Sequence, residues 1–470
     1  MKNRIGICVI GFILSCSISC KKFVAVPPPT TQLVGASVYS TNQTAAAAVT
    51  GIYQTMAGNT VGGNFYGISA LLGLSADEFT LYPNSDPILN QTYTNALLSS
   101  TPIPFWSQLY NCIYQANSAI DGLSAYSGVT SAMKQQLIGE TKFIRAFCYF
   151  YLVNIFGDVP LITTTDYKQN SIVTRSPESK VYEQIINDLV DAKSLLSNNF
   201  LAPDGTPSSA RVRPNSIAAS ALLARVYLYQ RKWDSAEAAA SVIIDNPNLK
   251  LAGNLNSVFL ANTEEAIWQL EMPNNGFNAP DGAFLLSLLY YGGPNAYDPF
   301  ILNNSLVNQF EPGDLRKSNW IKSATVGAVT YYYPYKYKLY YTGTAPTEYP
   351  VLLRLAEQYL IRAEARAQQN NLNGALSDLN IIRARAGVPT IATSSQSELI
   401  NSIYRERGLE LFTEYGHRWL DLKRTSNLSA IMANVTPQKG GIWNPTDQLY
   451  PIPLTDIQSD VNLLQNPGYN

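Results

Sequence analysis

Histidine is almost missing: the 470-residue chain holds one, His417. A nucleophilic triad or a His-rich metal set is hard to build from a single imidazole. Cysteine is scarce too, at five residues. With no CxxC pair and no Cys/His cluster, a zinc site has no ligand set, and no nucleophile elbow is found. Beyond the N-terminus no apolar run reaches the roughly 18 residues that a membrane-spanning helix requires. Neither sign of charge dominates: 33 Lys and Arg stand against 34 Asp and Glu, a formal charge of −1. That balance gives no electrostatic footprint for nucleic acid. No cofactor is expected.

What is present begins at the first residues. Lys2 and Arg4 precede an apolar stretch from Ile5 to Leu14, followed by Ser15, Ser17 and Ser19. This is the pattern of a secretory leader, too short to span a bilayer as a mature helix. Cys20 follows Ser17-Ile18-Ser19 and precedes Lys21, Lys22 and the prolines at 27–29. The pattern resembles a bacterial lipoprotein signal, in which the Cys at the cut is lipidated. Ser17 departs from the usual Leu, and Cys16 remains an alternative. With Cys20 as the lipidated residue, the leader is 1–19 and the anchored tether 20–43. Losing Lys2 and Arg4 brings the mature charge from −1 to −3. The prolines favour a stiff, extended tether.

The whole chain is 46 % apolar, with mean hydropathy near zero, as in a globular protein with a large core. TAAAAVTGIYQTM (44–56), the run from Phe105 and the run from Met133 read as helices. Trp106, Leu109, Tyr110, Ile113 and Ala116 form one helical stripe. Gly157 and Pro160 punctuate the end of the third helix. Another starts at Ser176-Pro177-Glu178. An internal repeat follows at an offset of 139: Ala224 matches Ala363, Trp233 matches Leu372, Ala236 matches Ala375 and Val242 matches Ile381. Both copies read as helix–turn–helix units with small residues at the crossing, the grammar of tetratricopeptide-like pairs. The fold class is therefore mainly α, with about eight scaffold helices. Residues from about 250 to 350 change texture, being rich in Gly, Asn, Pro and Tyr. Such an irregular segment between helical units usually carries function. Short strands are expected around Trp268 and from Tyr331. The segment from Ser397 reads as one or two helices broken near Gly416, and the C-terminus as an extended tail with a short helical turn. The boundaries are about 44–250, 250–350 and 350–470 within one domain.

Cys112 and Cys148 occupy apolar helical positions and read as buried thiols. Asp77-Glu78 reads as structural, since adjacent carboxylates do not flank a scissile bond. His417, Arg418, Trp419 and Asp421 read as a packed helix with ion pairs, and Arg405, Glu406, Arg407 and Glu410 as bridging charges. Thirty tyrosines supply flat apolar faces with polar tips, most of them read as helix interfaces. A sugar ring needs such a face, plus Asn, Asp, Gln or Arg for its hydroxyls. Trp106, Trp233 and Trp419 read as core and Trp268 as strand, whereas Trp320 and Trp443 lie in polar, irregular sequence. Tyr290, Tyr291 and Tyr297 cluster with Asn295 and Asp298. Phe65, Tyr66 and Tyr82 cluster with Asn84 and Asp86. The ligand-binding candidates are Tyr290, Tyr291, Tyr297, Trp320 and Tyr82. Packing of the insert, or contact with a partner protein, is the competing reading for each.

Several strings together resemble the SusD/RagB family of Bacteroidetes outer-membrane lipoproteins. They are the Cys20-Lys-Lys-Phe start, SADEF at Ser75, GETKFIRAFCYFYLVNIFGDVPLI at Gly139 and LRLAEQYLIRAEARAQ at Leu353. YRERGLELFTEYGHRWLDLKR at Tyr404 and LYPIPLTDIQSDVNLLQNPGY at Leu449 complete the set. The resemblance implies four tetratricopeptide-like helix pairs with an irregular region packed on them. It implies non-catalytic binding of an oligosaccharide or other nutrient at the cell surface. It also implies a partner, a SusC-like TonB-dependent transporter, and an outer-membrane lipid anchor. The family's ligand loops vary with ligand, so the resemblance points to regions rather than matched residues. A peptide ligand or a pure interaction scaffold are the alternatives, and a secreted hydrolase is the weakest reading.

Overall fold

The computed structural model describes residues 35–469 except positions 60, 64, 85 and 274. The leader, Cys20 and most of the tether lie outside the described residues. The folded body starts before the expected residue 44. Gly35–Val38 is a helical turn, and Tyr39 packs so closely on Gly122 that an added Cβ there would meet its ring at 2.0 Å.

The helices follow the apolar periodicity. Helix α1 (Asn42–Ala57) is capped by Thr41, whose hydroxyl accepts from the Thr44 amide. Helix α2 (Ile68–Ser75) leads into strand β1 (Phe79–Leu81). Helix α3 (Phe105–Ala125) and helix α5 (Glu178–Leu195) flank α4 (Ser131–Phe156). Every residue of α4 from Phe143 to Phe156 is buried. A helix apolar all round must be central, and neighbours on both sides make it so.

The two repeats are helix pairs, α6 (Ser216–Tyr229) with α7 (Trp233–Ile244), then α9 (Leu355–Gln368) with α10 (Leu372–Arg385). Ala224, Ala236, Ala363 and Ala375 are fully buried at the crossings, while the matched pair Val242 and Ile381 both face solvent. Small side chains let the helices approach and bury each other's apolar stripes. Helix α11 (Gln396–Glu410) stops, and α12 (His417–Arg424) restarts at Gly416, φ +69°. A Cβ there would lie 2.2 Å from the Leu72 side chain, so both conformation and space require glycine. Helix α13 (Leu428–Gln438) and the short α14 (Leu454–Ser459) complete the chain.

The insert is made of short pieces. Strand β2 (Ala266–Gln269) pairs antiparallel with β6 (Val351–Arg354), as expected around Trp268. Between them lie α8 (Leu286–Tyr291), β3 (Phe300–Leu302) and a hairpin of β4 (Ile321–Val326) and β5 (Val329–Pro334). The strand expected from Tyr331 thus starts earlier, at Val329, and stops at Pro334, which has no N–H to continue a ladder. Cys112 and Cys148 are free thiols, both buried.

Ten charged side chains hold the insert to the helices. Glu410 of α11 accepts from Arg354 Nη1 (2.6 Å), Arg316 Nη1 (3.2 Å) and Arg385 Nη2. Arg316 also binds Glu406 and Asp314, Arg383 binds Glu406, and Glu265 receives Arg354 and Arg385. Glu414 receives Arg354 and Lys336. All ten are buried or nearly so. Burial alone raises the Glu410 carboxyl, but the guanidiniums of Arg385, Arg354 and Arg316 outweigh it and hold it well below the usual carboxylate range. Removing one charge from such a set leaves its partners buried and uncompensated. Glu410→Gln is therefore expected to cost about 3–5 kcal/mol of stability in urea unfolding. A loss below about 1 kcal/mol would contradict this picture.

Candidate functional site

Strand β1 pairs antiparallel with β3, setting Phe79 opposite Leu302 and Leu81 opposite Phe300. The ladder extends one residue further, where the Tyr82 amide donates to the Pro299 carbonyl at 2.7 Å. Two segments far apart in sequence, around 65–86 and 280–300, thereby become neighbours. Beneath them Phe65, Phe79, Phe284 and Phe300 form one aromatic floor, with ring centroids 5.1–5.5 Å apart for the pairs Phe65–Phe300, Phe79–Phe284, Phe79–Phe300 and Phe284–Phe300. Edge-to-face and tilted rings of this kind resist sliding.

Tyr290 and Tyr291 close α8 and are 66 % and 64 % exposed. Tyr297 is 83 % exposed, in a turn where Asn295 Oδ1 accepts from the Tyr297 amide (2.8 Å) and the Asp298 amide (3.2 Å). Side-chain oxygens that satisfy backbone donors fix such turns. Tyr82 is half-buried at the end of β1. Tyr66 donates to Asp86, whose other oxygen caps the short helix Pro87–Tyr93 through the Ile88 and Leu89 amides. Hydrogen bonding to the Asp86 carboxylate pushes the Tyr66 hydroxyl up to about 12. Burial pushes the Asp298 carboxyl up to about 6. The tip of the β4–β5 hairpin leans onto the same loop, since a Cβ on Gly293 would lie 2.5 Å from Val326 Cγ2.

Trp320 is a correction. It is fully buried, and its indole N–H donates to the Leu255 carbonyl at 2.9 Å. Lys336 lies 4.8 Å from its ring centroid, with Arg354 and Arg385 at about 6 Å. Its face covers the buried charge network instead of meeting a ligand. Trp443 packs on Trp419, with centroids 6.1 Å apart. The hairpin tip, with Val326 and Val329 half-exposed, was absent from the expected site. Its signal was TVGAVT, two β-branched runs around a two-residue turn with Gly327 at φ +63°.

The other candidate groups are structural. Asp77 receives both arms of Arg418, each at 2.7 Å. Glu78 Oε1 accepts from the Thr413 amide at 2.9 Å, and burial pushes its carboxyl up to about 7. Burial pushes His417 down to about 4. Arg407 reaches Asp421 rather than a neighbour on its own helix. Among the described residues no group of three or more His, Cys, Asp or Glu is placed to hold a metal ion, and no helix is long and apolar enough to cross a membrane.

This arrangement can do one thing well. Exposed aromatic side chains held in fixed turns suit a flat ligand with apolar faces. Truncating Trp320 and truncating an exposed Tyr should therefore differ in kind. Trp320→Ala is expected to cost about 3–5 kcal/mol in urea unfolding, and Tyr290→Ala less than about 0.5 kcal/mol. Equal effects would mean that Trp320 is not in the core.

Comparison with known proteins gives two family models. One, described as the SusD family, matches residues 273–469. The other, described as starch-binding associating with outer membrane, matches residues 40–228. SusD-like protein P25 of Formosa agariphila is 24 % identical over 100 % of this chain and 99 % of its own. Starch-binding protein SusD of Bacteroides thetaiotaomicron is 24 % identical over 74 % of this chain and 75 % of its own. Among solved structures, a laminarin binding SusD-like protein superposes with a TM-score of 0.77 at 25 % identity, covering 92 % of this chain and all of that one. Surface glycan-binding protein A from Bacteroides fluxus superposes at 0.74 with 20 % identity, covering 92 % and 100 %.

Proposed function

The chain belongs to the SusD/RagB family of non-catalytic glycan-binding proteins, and from that premise we propose that it captures an oligosaccharide or polysaccharide nutrient at the cell surface. On this reading it delivers the glycan to a SusC-like TonB-dependent outer-membrane transporter. The observation that carries the ligand class is the exposure of Tyr290, Tyr291 and Tyr297, in a segment flanked by Phe284 and Phe300, which pack on Phe65 and Phe79. Three large aromatic side chains left in water offer stacking faces to sugar C–H surfaces, and Asn295 Oδ1 fixes the Tyr297 turn. The names of the laminarin-binding and starch-binding relatives support the same class. Tyr82 belongs to the site through its bond to Pro299, next to the Tyr297 turn.

The test is affinity electrophoresis of residues 21–470 in a polysaccharide panel that includes laminarin and starch, then calorimetry on any hit. Tyr290→Ala/Tyr291→Ala and Tyr297→Ala are each expected to weaken binding at least about tenfold, the scale of one lost aromatic contact, with unchanged unfolding midpoints. Binding kept by both variants would sink this site. No retardation by any polysaccharide would sink the glycan reading and turn attention to peptide ligands.

The anchor has its own test. Cys20 is the proposed lipidated residue, and the matched family is described as associating with the outer membrane. Cys20→Ser is expected to abolish incorporation of an azido fatty acid and to move the protein out of the membrane fraction. Retained labelling would transfer the role to Cys16.

A further inference from the structure

Helices α11 and α12 meet the start of α13 around a cleft of about 400 Å³, none of whose lining residues belongs to the tyrosine platform. That volume is within the usual range of small-ligand sites. Three guanidiniums line it, those of Arg405, Arg407 and Arg418. Each gives part of its donor set to the fold and keeps part over. Arg418 gives Nε and Nη2 to Asp77, and its Nη1 stands 3.8 Å from where a Cβ on Gly408 would lie. Arg405, which is exposed, gives Nη2 to the Gln309 carbonyl at 2.7 Å, and among the described residues it pairs with no carboxylate. Arg407 gives Nε and Nη2 to Asp421 at 2.8 and 3.2 Å, and its Nη1 is buried with no hydrogen-bond partner. A charged donor out of water with no acceptor is costly, and a ligand oxygen would relieve that cost.

One face of α11 is turned to this cleft. Asn401, Tyr404, Arg405 and Gly408 line it at i, i+3, i+4 and i+7. Glycine inside a helix is less favourable than any residue but proline. Neither a left-handed φ nor crowding requires it at 408, where Arg418 Nη1 is the one atom near an added Cβ. What the glycine provides is open space beside a guanidinium.

The charges limit the ligand. Asp77, Asp421 and Glu78 stand among the three guanidiniums, so a doubly charged phosphate would meet carboxylates as well. Burial pushes the Glu78 carboxyl up to about 7, and near neutral pH its unpartnered Oε2 can therefore carry a proton and donate. A single carboxylate matches a guanidinium edge in shape and charge. The amides of Asn401 and Asn427 and the hydroxyls of Tyr404 and Thr425 suit a hydroxylated body. We propose that this cleft binds a sugar acid about one ring in size, its carboxylate held by Arg405 and Arg418 and its hydroxyls by Asn401, Tyr404 and Asn427. The cleft and the platform are separate sites, and either can hold its ligand without the other.

The test titrates residues 21–470 with sodium glucuronate in calorimetry, with glucose and sodium sulfate as comparators. Glucuronate is expected to bind saturably and at least about tenfold more tightly than either comparator. Arg405→Gln removes an exposed guanidinium, and Gly408→Leu puts a side chain into the opening. Each is expected to weaken glucuronate at least about tenfold, the scale of one lost charge-assisted hydrogen bond. The unfolding midpoint should be kept or raised, and polysaccharide retardation unchanged. Tyr290→Ala/Tyr291→Ala should bind glucuronate like wild type. No saturable binding by the wild type overturns the proposal, as does binding that both cleft variants keep. Sulfate held as tightly as glucuronate would make this a general anion site and overturn the sugar-acid assignment. Loss of glucuronate in the tyrosine variant would move the acid to the platform and overturn it too. Polysaccharide retardation is read separately, so failure of this cleft is distinguishable from failure of the glycan site.

Discussion

Glu410 is the point on which the rest of the structure hangs. Its carboxylate takes three guanidiniums, from Arg316 in the insert, Arg354 at the end of β6 and Arg385 at the end of α10. Buried ion pairs add little net stability against well-packed apolar substitutes. What they add here is position, because a desolvated charge tolerates few geometries. The insert contributes Glu265, Asp314, Arg316 and Lys336, and the scaffold the remainder. The hairpin β4–β5 rises directly from this network. Trp320 stands at one foot and Lys336 just beyond the other, with the ammonium 4.8 Å from the indole ring. The tip then reaches Val326 to Gly293, beside the exposed tyrosines. The network thus fixes the hairpin, and the hairpin braces the loop.

The other half of the site is tied down by a separate set of charges. Arg418 grips Asp77, the Thr413 amide holds Glu78, and Lys439 Nζ donates to the carbonyls of Leu74 and Ser75 at the end of α2. An ammonium at a helix C-terminus satisfies carbonyls that have no partner in the helix. These contacts seat the segment from α2 through β1, so that Phe79 and Tyr82 meet β3 in register. Acidic residues conspicuous in the sequence thus serve the site at one remove.

How much of this was legible in the sequence depended on the range of the interactions. The helices were legible because their apolar residues recur within each segment, and the repeat was legible because Ala224 and Ala363 do the same local job. The break near Gly416 was legible for a local reason as well. The exposure of Tyr290, Tyr291 and Tyr297 was legible through the Gly, Asn and Pro around them, which mark turns, although Tyr290 and Tyr291 close a helix rather than lie in a loop. Trp320 misled because DLRKSNW looks like a solvated loop. Asp314 and Arg316 are polar yet buried, bound to each other, and Arg316 reaches Glu406 and Glu410 some ninety residues away. Polar neighbours signal exposure only when their partners are water. The pairing of β1 with β3 could not be read either, since neither three-residue strand specifies its partner locally.

The side-chain type of the platform follows from what it would meet. A sugar presents flat C–H surfaces and a hydroxyl edge, which favours rigid rings with two rotatable torsions over aliphatic chains. Tyr290, Tyr291 and Tyr297 are rings of that kind, and all three stand in water. On the proposed reading these residues can change with the ligand while the Glu410 network keeps the body behind them unchanged, because its charges are buried and paired with one another. A substitution among the exposed tyrosines should therefore alter binding and leave the fold intact.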